Sequence, residues 1–123
     1  MLRTLPLALL LALLAGYPSE RLEAARYSAE GMASYYASHH HGKRTASGEP
    51  VDRNTLTAAH RTLPLGSRVR VTSLSTRRSV VVRINDRGPH THGRIIDLSY
   101  KAARQLEILH AGVALVRLEL LDN

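Results

Sequence analysis

Two apolar runs, each carrying a carboxylate near its end, constrain this chain more than any other feature. Val80-Val81-Val82-Arg83-Ile84-Asn85-Asp86 leads into Arg87-Gly88-Pro89, and Arg94-Ile95-Ile96-Asp97-Leu98-Ser99 returns from the loop that holds His90 and His92. Such β-branched content predicts a strand that delivers Asp86 to an irregular rim and a second run that brings Asp97 back. Rims of this kind are where chemistry tends to sit.

The remaining segments carry the same grain. Ser67 to Leu74 alternates Val69 and Val71 against Arg68, Arg70 and Thr72, and Ser75-Thr76-Arg77-Arg78 joins it as a hairpin to the strand Ser79 to Asn85. Gly31 to Ala37 reads as a first short β run, followed by a polar loop from Ser38 to Asp52. Asn54 to His60 is ambiguous between a helical turn and a short buried strand, and Leu63-Pro64-Leu65-Gly66 ends it in a turn. Ser99 to Leu109 is the one convincing helix, with Ser99 as N-cap and Ala102, Ala103, Leu106 and Leu109 as its apolar stripe. Val113 to Leu121 supplies a closing strand.

At 123 residues, the chain has room for one domain. Met1 to Gly16, with Arg3 ahead of an apolar run from Leu5 to Ala15, has the build of a signal peptide and is short for a bilayer span. Its cleavage site is poorly marked, which leaves an uncleaved anchor as the alternative. We therefore divide the chain into a signal segment (1–16), a linker (17–29) and one domain (30–123). A core without Phe or Trp must be filled by Val, Ile, Leu and Ala. The absence of cysteine removes disulfides and thiolate metal sites. A formal charge of +7 and a pI near 10.6 favour a polyanionic partner or surface. Nucleic acid is disfavoured, because the basic residues are spread along the chain without a basic run or aromatic interleaving.

Five collinear blocks carry a resemblance. They are Gly31-x-Ala33-Ser34-Tyr35-Tyr36, Gly42 to Glu49, Leu56 to Pro64, Val82 to Pro89, and Arg94 to Ser99. Together they resemble the rare lipoprotein A (RlpA-like) family of cell-envelope lytic transglycosylases over nearly the whole domain. The resemblance implies a mainly β fold, a six-stranded double-psi β-barrel with one short α-helix, related in architecture to expansins and acting on peptidoglycan glycan strands. The family's proposed active-site residues fall on Glu49, His60 and Asp86, and more distantly on Asp97. Tyr17 follows Gly16 where the family's lipobox has Cys, so no lipid anchor is expected. No peptidoglycan-binding domain is expected after the barrel, and Ala37 and His40 depart from the family pattern after the double Tyr.

A lytic transglycosylase lets the C6 hydroxyl of the muramyl residue replace water, so one carboxyl can act first as acid and then as base. Asp86 is the first choice for this proton transfer, provided that Arg87 points away; its bland reading is a turn cap or an ion pair with arginine. Glu49 serves as second acid/base or as an orienting group, against a solvated surface charge. His60 supports a carboxylate or a sugar hydroxyl, against a satisfied structural histidine. Asp97 anchors the nearby loop or binds substrate. Tyr35 and Tyr36 offer a stacking face of which only one can meet the groove. Arg87, with Arg83 and Arg94, either meets lactyl carboxylates or coats a basic surface. His39-His40-His41 reads as a solvated loop rather than a metal site, and no cofactor is expected.

These readings converge on an exported endolytic peptidoglycan lytic transglycosylase of the periplasm or cell envelope, monomeric, with glycan strands as its partner. The rival is a non-catalytic, expansin-like module that binds or loosens wall polysaccharide. A basic nucleic-acid or membrane-surface binder is the third reading, and it needs none of Glu49, His60 and Asp86.

Overall fold

The computed structural model describes residues 27–121; the segment read as a leader and most of the linker lie outside them. Six strands form: β1 (Ser28–Tyr35), β2 (Thr57–Ala59), β3 (Arg68–Ser73), β4 (Ser79–Asp86), β5 (Arg94–Leu98) and β6 (Ala114–Leu120). One helix, α1 (Tyr100–Gln105), follows β5. β1 begins two residues inside the segment read as linker, because Ser28 and Ala29 pair with Glu119 and Leu118 of β6.

The strands close into a barrel in the order β1-β5-β2-β4-β3-β6. β1 runs parallel to β5 and β2 parallel to β4, while the remaining neighbours are antiparallel. This is the double-psi β-barrel that the resemblance implies, mainly β with a single short helix. Alternation fills its interior: Ala33, Ala58, Val69, Val71, Val82, Ile84, Ile96, Leu98, Val116 and Leu118 are buried, and their strand neighbours face outward. The Asn54 to His60 ambiguity resolves as a fully buried three-residue strand, β2, held between β4 and β5.

Helix α1 is shorter than the predicted Ser99 to Leu109. Glu107 adopts a left-handed φ of 61°, which ends the helix and turns Ile108 into the core at 4% exposure. Its start is as expected, since the Ser99 hydroxyl accepts from the Ala102 N–H at 3.2 Å. The same hydroxyl donates to the Thr55 carbonyl at 2.6 Å, which ties the helix to the segment entering β2.

Candidate active site

Strand register places the two carboxylates. Asp86 of β4 lies opposite Ala59 of β2, Ala59 lies opposite Asp97 of β5, and Asp97 lies opposite Ser34 of β1. Asp86, Ala59, Asp97 and Ser34 therefore form one row across four neighbouring strands. At the usual strand spacing, the two Asp Cα atoms sit roughly 10 Å apart. Register shifts between Ala58 and Ala59 and between Met32 and Ala33 bring the row into line, as bulges beside sites commonly do. The alanine methyl between the acids leaves an open floor, and the row lines a groove of about 460 Å³ on the outer face of the barrel.

Asp86 is held on both oxygens. Tyr36 donates its hydroxyl to Oδ2 at 2.6 Å, and Oδ1 accepts the backbone N–H groups of Ala46 at 2.9 Å and Arg87 at 2.8 Å. The Arg87 guanidinium points away and donates to the carbonyls of His60 and Leu63 at 3.1 and 2.7 Å. The condition set for Asp86 is met, and Arg87 holds a turn rather than presenting a free charge to the groove. Burial and the bond to Asp86 push the Tyr36 phenol well above its ordinary value, so it stays a donor.

Asp97 accepts the Ser34 hydroxyl at 3.1 Å. Burial raises its carboxyl above the ordinary carboxylate range, opposed by the Ser34 bond and by His40 and Arg94, and reinforced by Asp86. The groove thus holds two carboxyls in unlike surroundings.

Glu49 does not line this groove. It forms a bidentate pair with Arg83, Nη1 to Oε1 at 2.6 Å and Nη2 to Oε2 at 2.9 Å, which holds its carboxyl down to about 2. Its loop nevertheless reaches the site. The Thr45 N–H and hydroxyl donate to the Glu49 carbonyl at 2.8 and 2.7 Å, and Ser47 N–H donates to the Asn85 carbonyl. That tight turn presents the Ala46 N–H to Asp86.

His60 stands next to the row but faces another way. Its Nδ1 accepts the N–H groups of Thr62 and Leu63, both at 3.1 Å, so its Nε2 carries the proton and donates to the Tyr27 hydroxyl at 3.2 Å. Burial, with Arg87 and Arg61 nearby, lowers its pKa. Its backbone N–H donates to the Asp86 carbonyl at 3.1 Å, and its carbonyl receives Arg87.

Both tyrosines reach the groove, against the expectation that only one could. Tyr36 donates to Asp86, whereas Tyr35 also packs on the core and donates its hydroxyl to the Leu109 carbonyl at 2.9 Å. Of the triple histidine, His39 is exposed, while His40 meets the edge of Tyr36 with ring centroids 5.6 Å apart and lines the groove. Sequence reasoning missed Ser34 as a site residue, Ala59, and Arg61, whose guanidinium clamps the carbonyls of Pro89, Thr91 and Arg94 at 2.6, 3.1 and 2.9 Å. An arginine anchored on three carbonyls of a distant loop leaves no local sequence signal.

Residues 28–118 match the family model described as lytic transglycolase. A probable endolytic peptidoglycan transglycosylase RlpA of Synechocystis sp. is 58% identical over 92 residues, 75% of this chain and 29% of that protein. The endolytic peptidoglycan transglycosylase RlpA of Pasteurella multocida is 52% identical over 100 residues, 81% of this chain and 34% of that protein. The chain spans about a third of the length of these curated relatives. Among solved structures, the Streptomyces papain inhibitor aligns with a TM-score of 0.64 at 24% identity, covering 80% of this chain and 97% of that one. The Clavibacter michiganensis expansin aligns at 0.62 and 19% identity, covering 79% and 52%. Those two likenesses speak for the fold alone; the sequence matches, with the barrel and the blocks that line its groove, make this chain a member of the RlpA-like double-psi β-barrel family of lytic transglycolases.

Proposed function

We propose that this chain is an endolytic peptidoglycan lytic transglycosylase, cleaving glycan strands to leave 1,6-anhydromuramyl ends. The observation that carries the reading is the row Asp86–Ala59–Asp97, which brings two carboxyls into one open groove in a family whose matched relatives bear that activity in their names. Asp86 performs the proton transfer, first to the departing glycosidic oxygen and then from the C6 hydroxyl that attacks the anomeric carbon. Asp97, whose carboxyl burial raises above its ordinary value, is the second carboxyl of the groove and is held by the Ser34 hydroxyl. Tyr36 fixes the orientation of Asp86.

Glu49 and His60 act as positioning residues: Glu49 braces the turn whose Ala46 N–H meets Asp86, and His60 braces the turn that receives Arg87. Peptidoglycan lies outside the cytoplasmic membrane, so the reading carries with it export to the periplasm or cell envelope. We further take the protein to work as a monomer.

The test is mass spectrometry of purified peptidoglycan, intact and amidase-stripped, after incubation with the protein and with Asp86→Asn. New anhydromuramyl ends that fall at least about a hundredfold in Asp86→Asn, the scale of a lost general acid, are the expected result. Reducing ends would mean hydrolysis. Folded protein that pellets with the wall but releases no ends would leave the expansin-like binding module instead.

A further inference from the structure

The turn between β3 and β4 holds a residue in an unusual conformation for its type. Arg77 adopts a φ of 65°, the left-handed region that glycine or asparagine ordinarily fills in a hairpin loop and that other side chains enter only at a cost. The turn is well fixed around it. The Arg77 N–H donates to the Ser73 carbonyl and the Ser73 N–H to the Arg78 carbonyl, both at 2.8 Å, and the Arg78 N–H donates to the Thr76 hydroxyl at 3.2 Å. None of these bonds needs an arginine side chain, so strain held at this position points to a role for the side chain itself.

That side chain lines a cavity of about 450 Å³ with Thr72, Ser73, Leu74 and Arg117. The cavity is nearly as large as the catalytic groove and shares no residue with it. The two also lie apart, since the run of β4 from Ser79 to Asp86 spans roughly 23 Å. Its charge is positive. Arg78 turns to Glu107 at 3.1 Å, and Arg117 gives Nε and Nη2 to Glu30 at 3.0 and 2.8 Å, which leaves its Nη1. Among the described residues, Arg77 has no carboxylate in ion-pair range. Thr72 stands opposite Arg117 in the β3–β6 ladder, and the Ser73 hydroxyl meets only that of Ser75, at 3.3 Å. Two guanidinium groups and two hydroxyls, set on separate elements around one cavity, suit the spread oxygens of a phosphate better than a planar carboxylate.

We propose that this cavity binds the phosphate group of a phosphate ester, with Arg77 as its principal contact. The site stands independently of the peptidoglycan reading, and a ligand held there leaves the groove uncovered. Soluble phosphate esters and the headgroups of an anionic phospholipid surface present the same group, and the experiment separates them.

Glycerol phosphate is titrated into the protein by calorimetry, and vesicles of phosphatidylglycerol are pelleted with it, for the wild type, Arg77→Gly and Arg77→Gln. The wild type is expected to bind at least one probe about tenfold or more tightly than either variant, the scale of a lost charged hydrogen bond. Binding of glycerol phosphate assigns the site to soluble esters, and binding confined to vesicles assigns it to a lipid headgroup. Arg77→Gly relieves the backbone strain and is expected to melt above the wild type in phosphate-free buffer, so that its lost affinity is not a lost fold. Arg77→Gln keeps the strain and removes the charge. Equal affinity in the three proteins, or a wild type that binds neither probe, overturns the site.

Discussion

At His60, two N–H groups, that of the exposed Thr62 and that of the buried Leu63, depend on one imidazole nitrogen. Protonating Nδ1 would break both bonds and set a cation against Arg61 and Arg87, which, together with burial, is why the folded pKa lies below the ordinary 6.5. The unfolded chain then binds the proton more readily. The stabilisation is complete above about pH 6.5 and is lost as pH falls through that value toward the folded pKa. His60→Asn keeps an acceptor where Nδ1 stood and has nothing to protonate. Melting temperatures taken from pH 7.5 to 5.0 are expected to fall less steeply in His60→Asn than in the wild type, the other histidines cancelling in the difference. Equal slopes would refute the assignment. His60→Ala is expected to cost about 1–3 kcal/mol at neutral pH, because it orphans the buried Leu63 donor.

The same residue marks how far the site could be read beforehand. Asp86 and Asp97 were legible, because each ends or interrupts an apolar run and strand alternation then fixes which way it faces. Glu49 was legible only as a motif position; nothing in Ser47-Gly48-Glu49 announces that Arg83, on another strand, will hold it outside the groove.

Among the elements, the β3–β4 hairpin was legible to within one residue at each end, since its period of two and its short turn are local properties. The parallel pairs were not. β1 meets β5 only after the chain has laid down three other strands, and composition carries no record of that register. Gly31 is the residue that makes this pairing possible. A Cβ there would stand 2.7 Å from Ile95 Cγ2 and 3.0 Å from Cγ1, atoms too near the backbone of β5 to swing clear. Gly31→Ala is therefore expected to destabilise the barrel by about 1–3 kcal/mol, and Ile95→Ala in the same protein should recover part of that loss. Urea titration of the four proteins tests it. A strictly additive cycle would show that Gly31 is not serving close approach of the two strands.

For the molecule as a whole, closure is the governing fact. Every strand is hydrogen-bonded on both flanks, so no edge can fray without opening a second ladder. β6 shows the consequence: it joins β1 to β3 and inserts Val116 and Leu118, both fully buried, into the interior. Its outer face adds the Glu30–Arg117 and Arg70–Glu119 pairs, which are solvent-exposed and worth little by comparison. Leu118→Ala should thus cost about 2–5 kcal/mol of a total that is ordinarily about 5–15. Because closure distributes that loss, the variant is expected to melt earlier but still in one step. Far-UV circular dichroism, which follows all six strands, and tyrosine fluorescence, to which Tyr27, Tyr35 and Tyr36 at β1 contribute in a chain without tryptophan, should shift together. If the fluorescence transition preceded the dichroism transition in Leu118→Ala, the β1–β6 seam would be opening by itself. The groove, whose Ser34 and Tyr36 stand on and just beyond β1, would then belong to a less stable part of the molecule than the barrel that carries it.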